Sequence, residues 1–246
     1  MRTPIVAGNW KMHGSDAFAR ALVAALAERI EPGPRVLLFP PQVLLRTVVE
    51  ACTGTEIAVG AQTVHPEPEG AFTGETSAEL ARDAGARWTI VGHSERRQHF
   101  GEDDAAVARR VAAAARAGLA PVLCVGETHE ARRAGEAEAV VLAQLDAVLA
   151  LDGTPLAHGA VAYEPVWAIG TGETATPAQA QAMHAVVRER LAAAGLGELP
   201  VLYGGSVKAD NAAELFAAPD IDGGLVGGAS LDAESFAAIV AAARSH

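Results

Sequence analysis

The chain has 246 residues, of which 50% are hydrophobic and only 4% aromatic, and its formal net charge is −11. That length suits one large domain with a core mostly of Ala, Val and Leu, and the acidic balance argues against nucleic acid as the main partner, since a phosphate backbone needs a basic face. No stretch approaches the ~20 uninterrupted apolar residues of a membrane span, the N-terminal MRTPIVAGNWK lacks a signal-peptide core, and the two distant cysteines, Cys52 and Cys124, suit a reducing cytoplasm rather than a disulfide framework.

Short apolar, often β-branched runs alternate with longer helical patterns. Strands are expected at Ile5–Asn9, Val36–Phe39, Ile57–Ala61, Trp88–Val91, Pro121–Val125, Ala160–Tyr163, Pro200–Tyr203 and Ile221–Val226. Helices are expected between them over Ser15–Glu31, Val43–Thr53, Ser77–Ala84, Asp103–Ala117, Thr128–Leu151, Thr176–Ala194 and Lys208–Ala217, with Asp232–Arg244 closing the chain. Ser15, Asp103 and the pair Thr176-Pro177 supply helix start signals. Eight strand-then-helix units at this length predict a closed parallel (β/α)8 TIM barrel, read as a single domain over residues 1–246. A doubly wound open sheet is the alternative. It usually has one dominant glycine-rich turn, whereas glycines here follow several strands.

In such a barrel, function sits on the loops after the strands. After the first strand come Asn9 and Lys11, the latter a cation for the barrel mouth or, in isolation, a solvated lysine. After the fourth comes VGHSERR, residues 91–97, with His93 at the start of a helical turn. A helix N-terminus disfavours imidazolium, so His93 is expected to be a neutral hydrogen-bond donor. Arg96 and Arg97 read as structural ion-pair partners. After the sixth comes YEPVWAIGTG, residues 163–172: a carboxylate, Glu164, a stiff Pro165, then an aperiodic apolar run with Gly170 and Gly172. That pattern reads as a general base beneath an apolar lid. After the seventh and eighth strands come YGGSVKADN and VGGAS, whose glycine pairs and Ser206 sit where phosphate sites are built in such barrels.

Together these segments resemble the triosephosphate isomerase family, along the whole chain: GNWKM at 8–12, GAFTGE at 70–75, VGHSERR, YEPVWAIGTG, YGGSV at 203–207 and LVGGASL at 225–231. The resemblance implies interconversion of dihydroxyacetone phosphate and D-glyceraldehyde 3-phosphate, with neither metal nor organic cofactor. It implies that Glu164 is the base moving a proton between C1 and C2. His93 becomes the neutral electrophile, a role known for this family. Lys11 becomes the cation balancing substrate charge, with Asn9 the donor beside it. Gly170, Ser206, Gly227 and Gly228 match the phosphate-gripping groups, and Glu95 a buried supporting acid behind Lys11. The segment 65–77, with Thr73 near its tip, resembles a loop that forms a homodimer.

Two departures stand out. Thr63 replaces the Asn usual at the start of the interface loop, which Pro66 and Pro68 also stiffen. Glu173 stands where many relatives carry Lys at the end of the lid. Two other functions compete with the isomerase. A two-carboxylate glycosidase would pair Glu164 with Glu95 or Glu127, but aromatic sugar platforms are scarce. A non-catalytic sugar-phosphate-binding barrel would be expected to have lost Glu164, His93 or Lys11.

Overall fold

A computed structural model describes residues 2–168 and 175–243. Eight parallel strands close on themselves in chain order. They are β1 (Ile5–Asn9), β2 (Arg35–Phe39), β3 (Ala58–Ala61), β4 (Trp88–Val91), β5 (Ala120–Val125), β6 (Ala160–Tyr163), β7 (Val201–Tyr203) and β8 (Gly223–Val226). Closure is made where β1 pairs with both β2 and β8, Ile5 lying opposite Arg35 on one side and Gly223 on the other.

The helices are α1 (Asp16–Arg29), α2 (Leu45–Ala51), α3 (Ala78–Asp83), α4 (Ser94–Phe100), α5 (Asp104–Arg116), α6 (His129–Arg133), α7 (Ala137–Leu149), α8 (Pro177–Ala193), α9 (Ala212–Phe216) and α10 (Ala233–Ala242). The start signals act as expected. Ser15 accepts from the Phe18 amide, Asp103 from the Ala106 amide, and Thr176 forms a reciprocal capping box with Gln179.

α4 is a full helix of 7 residues where only a helical turn is expected, and two further helices differ from the sequence expectation. The single helix expected over Thr128–Leu151 is two, α6 and α7, because Gly135 takes φ of +74° just past the end of α6 and turns the chain. The helix expected from Lys208 begins only at Ala212, because residues 208–211 form a turn, the Asn211 amide donating to the Lys208 carbonyl at 3.3 Å, after an irregular segment 206–208 that lines the barrel mouth.

Strand alternation divides the core in two. Inside the barrel lie Ile5, Ala7, Leu37, Phe39, Trp88, Ile90, Val122, Cys124, Ala160, Ala162, Leu202 and Leu225. Large and small residues complement one another there: a Cβ at Gly60 would fall 2.3 Å from the Phe39 ring, so Phe39 fills the space β3 leaves open. The larger second core lies between strands and helices. It includes Val6, Leu38, Leu123 and Val161 on the outer faces of the strands, and the inner sides of α1, α5, α8 and α10. Cys124 lies within β5. Both cysteines are buried and free.

Candidate active site

The residues read from the strand ends converge on one cavity of about 360 Å³ at the C-terminal mouth of the barrel. Asn9, Lys11, His93, Glu164, Ser206, Gly227 and Gly228 all line it. Gly170, Gly172 and Glu173 lie outside the described residues.

Glu164 follows β6 directly and is 2% exposed. Its Oε2 accepts from the Ser94 amide at 2.9 Å and its Oε1 from the Ser94 hydroxyl at 3.0 Å. Nε2 of His93 lies 3.1 Å from the same Oε1. Such burial of a carboxylate is tolerable because its oxygens keep these polar partners. Ser94 escaped the sequence reading as an anchor because it lies 70 residues from Glu164.

Two close approaches fix the backbone beneath the carboxylate. A Cβ at Gly126 would sit 1.8 Å from the Glu164 carbonyl oxygen, and one at Gly204 would sit 2.8 Å from Glu164 Cγ. Gly204 therefore makes room for the carboxylate itself. The Gly126 backbone is gripped in turn by Gln144, which accepts from its amide at 2.8 Å and donates to its carbonyl at 3.1 Å.

His93 precedes α4 and caps it with its own ring, Nδ1 accepting from the Glu95 amide at 3.3 Å. A ring nitrogen used as acceptor carries no proton, so the network assigns the proton to Nε2, on the Glu164 side.

Lys11 is held in the left-handed region at φ of +51°, rare for a residue with a side chain. Its amide donates to Asn9 Oδ1 at 3.0 Å, and Gln62 Nε2 donates to both its carbonyl, at 2.8 Å, and that of Phe39, at 2.9 Å. Gln62 is a second residue the strand-end reading passed over. Lys11 Nζ reaches Glu95 Oε1 at 2.5 Å. Glu95 is not the buried acid expected: its side chain is 40% exposed in this chain. Burial pushes its carboxyl up, but the hydrogen bond and charge of Lys11 hold it below the ordinary value.

Cys124, packed beneath, has its thiol pushed well up by burial and then by Glu164, so it stays protonated and apolar. Arg96 pairs with Glu102 at 2.6 Å and Arg97 with Asp104 at 2.6 Å, the structural roles expected of them.

Glu127 is fully buried and accepts through Oε1 from the Tyr163 hydroxyl at 3.0 Å, Trp167 Nε1 at 2.8 Å and Arg132 Nη1 at 3.1 Å. The Arg132 guanidinium also lies 4.4 Å over the Trp167 ring. Burial and Glu127 both raise the Tyr163 hydroxyl's pKa, keeping it a donor. A carboxylate so enclosed, and absent from the cavity lining, does not serve as the second acid of a glycosidase.

The loop at 65–77 closes through the His65 amide, which donates to the Thr76 carbonyl at 2.8 Å. The Phe72 ring lies 4.2 Å from the His65 ring and remains 44% exposed, and Thr73 is exposed near the tip. The Thr63 hydroxyl at its start is buried with no hydrogen-bond partner among the described residues.

The sequence profile of the triosephosphate isomerase family matches residues 4–243. A triosephosphate isomerase of Xanthomonas euvesicatoria pv. vesicatoria (strain 85-10) is 56% identical over 248 aligned positions, covering 99% of each chain. One of Xanthomonas campestris pv. campestris (strain 8004) is 55% identical with the same coverage. One of Xylella fastidiosa (strain M23) is 53% identical over 247 positions, covering 98% of this chain and 99% of its own.

Proposed function

We infer the division of labour in the site from one premise, that the chain belongs to the triosephosphate isomerase family. It is an isomerase that interconverts dihydroxyacetone phosphate and D-glyceraldehyde 3-phosphate, a step of glycolysis. In our reading Glu164 takes the proton from C1 of the ketose, and His93 donates the Nε2 proton to the carbonyl oxygen at C2. The resulting enediol regains a carbon proton at C2 from Glu164, while His93 recovers its proton from the oxygen at C1. No net proton is gained or lost.

The chemistry supports this assignment. Removing a proton beside a carbonyl develops negative charge on oxygen, and a fixed donor and cation stabilise that charge best in a partly dry site. Nε2 of His93 faces the cavity side of Glu164, and Lys11 and Asn9 supply the cation and the amide. Each positioned acid or base contributes roughly 10²–10⁴-fold. Ser206 and the Gly227–Gly228 backbone are read as ligands of the unreactive phosphate, whose binding energy holds the reacting carbons in place. Glu95 and Thr73 are read as supporting residues, with Glu95 fixing Lys11.

The observation that carries this reading is the 3.1 Å approach of His93 Nε2 to Glu164 Oε1 inside the shared cavity. Exchange of solvent tritium into dihydroxyacetone phosphate tests it directly. Exchange is expected with the native chain; its absence would leave a barrel that binds sugar phosphates without turning them over.

We also propose one domain over residues 1–246, a cytoplasmic location and a homodimer formed through the 65–77 loop. The exposed Phe72 and Met12, the latter 93% exposed, offer apolar surface for such a contact. No helix among the described residues is long and apolar enough to cross a membrane.

A further inference from the structure

Asn211 stands immediately before α9. An asparagine there ordinarily accepts a hydrogen bond from the second or third amide of the helix. This one makes no such cap. Its side chain turns back instead, Oδ1 accepting from the Lys208 amide at 2.8 Å and Nδ2 donating to the Ser206 carbonyl at 3.0 Å. The two ends of one planar amide thus clasp the two ends of a three-residue irregular segment. Ser206, Val207 and Lys208 all line the substrate cavity, and among the described residues these are the hydrogen bonds of the Ser206 carbonyl and the Lys208 amide.

We propose that Asn211 is a positioning residue for phosphate binding, holding the 206–208 backbone in the shape that presents Ser206 to the substrate's phosphate. The inference rests on the reading of Ser206 as a phosphate ligand. Two features separate this role from a structural one. The clasp spans partly exposed backbone, where water can replace either bond, so the barrel does not depend on it. And although the Oδ1 bond to the Lys208 amide also serves the turn leading into α9, where the Ala212 amide donates to the Lys208 carbonyl at 3.0 Å, the Nδ2 bond reaches past that turn to the Ser206 carbonyl at the cavity. A 206–208 segment held in advance spares the substrate its ordering on binding, and loss of the clasp weakens ground-state and transition-state binding together.

Asn211→Ser tests this most cleanly. Serine is as good a residue as asparagine before a helix, but it cannot bridge both ends of the 206–208 segment. Asn211→Ala removes the clasp and offers no cap in its place. Both variants are expected to raise KM for the triose phosphate and the inhibition constant of inorganic phosphate in parallel, by roughly tenfold, with kcat within about twofold of the native value. Asn211→Ser should unfold at the native temperature. Native values of both constants in the two variants overturn the proposal, as does a loss that follows the drop in melting temperature. Ser206→Ala separates the two layers of the argument. If it leaves phosphate inhibition unchanged, the reading of the site fails and this inference with it. If it weakens inhibition while the Asn211 variants do not, the inference fails alone.

Discussion

Glu164 and His93 face each other across 3.1 Å, yet Glu164 is held by Ser94 through both of that residue's donors, backbone and hydroxyl. His93 can give its Nε2 proton to a substrate carbonyl only by exchanging one acceptor for another. The carboxylate likewise reaches a substrate carbon only by loosening its hold on Ser94. Glu164→Gln keeps the size of the side chain and removes the basicity. Its kcat is expected to fall by roughly 10²–10⁴-fold, with the affinity of phosphate analogues nearly unchanged. A coupled assay of purified variant showing near-native turnover would end the assignment of Glu164 as the base.

Lys11 depends on its backbone as much as on its charge. Its left-handed φ is secured by Gln62, which ties its carbonyl to the end of β2. Lys11→Met should raise KM and lower kcat together, because the cation serves bound substrate and developing enediolate alike. Gln62→Ala, with the ammonium intact, should lower kcat/KM by roughly tenfold, about the effect of one or two lost hydrogen bonds. Steady-state kinetics of the two variants side by side check both expectations; a native Gln62→Ala enzyme would show that the strained backbone holds itself.

Gly204→Ala places a methyl group 2.8 Å from Glu164 Cγ and 3.1 Å from the Tyr163 carbonyl. The side chain with most room to yield is the catalytic carboxylate. Activity should therefore suffer more than stability: kcat falls by on the order of 10²-fold, the effect of an ångström of misplacement, while unfolding costs about 1–3 kcal/mol. Urea titration and kinetics on one preparation compare the two. A stability loss without a matching loss of rate would show that Glu164 does not move.

His184 should make the fold sensitive to mild acid. It is fully buried on α8, Nδ1 lies 3.1 Å from the Asp220 carbonyl, and Nε2 has no partner among the described residues. Burial, only partly offset by that carbonyl, lowers its pKa from 6.5 to about 4. As pH falls below 6.5 the unfolded chain binds a proton that the folded chain refuses until near 4. The stability tied to the neutral ring is complete above the unfolded value, declines through that window and is gone below the folded one, a total of roughly 3 kcal/mol. His184→Asn retains a donor for Asp220 and cannot titrate. It should be less stable at neutral pH yet lose less stability on acidification, read from urea midpoints at fixed protein concentration. Parallel pH profiles for the two proteins would contradict this.

The strands were legible because each is a short apolar run buried on both faces, and β1, β4 and β6 fall where the pattern puts them. The active groups were legible because a strand end delivers Asn9, His93 and Glu164 to the barrel mouth wherever the helices lie. What escaped was held by contacts distant in sequence. Ser94 on Glu164 spans 70 residues and Gln62 on Lys11 spans 51. Local periodicity carries no trace of either. The late start of α9 was hidden for another reason: the turn at 208–211 takes up its first residues, and the side chain of Asn211, which looks like an ordinary cap, reaches back to Ser206 and Lys208 instead. Glu95 read as buried, and in this chain it is not.

Glu127 binds both Tyr163, just before the base, and Trp167, three residues after it. The segment 163–167 is thereby a small ring, closed by side chains, with Glu164 inside it. The chain just before the base and the chain just after it thus share one carboxylate, in addition to the hold of Ser94, Gly126 and Gly204 on Glu164 itself. A change at Glu127 would therefore disturb Tyr163 and Trp167 together, on both sides of the base.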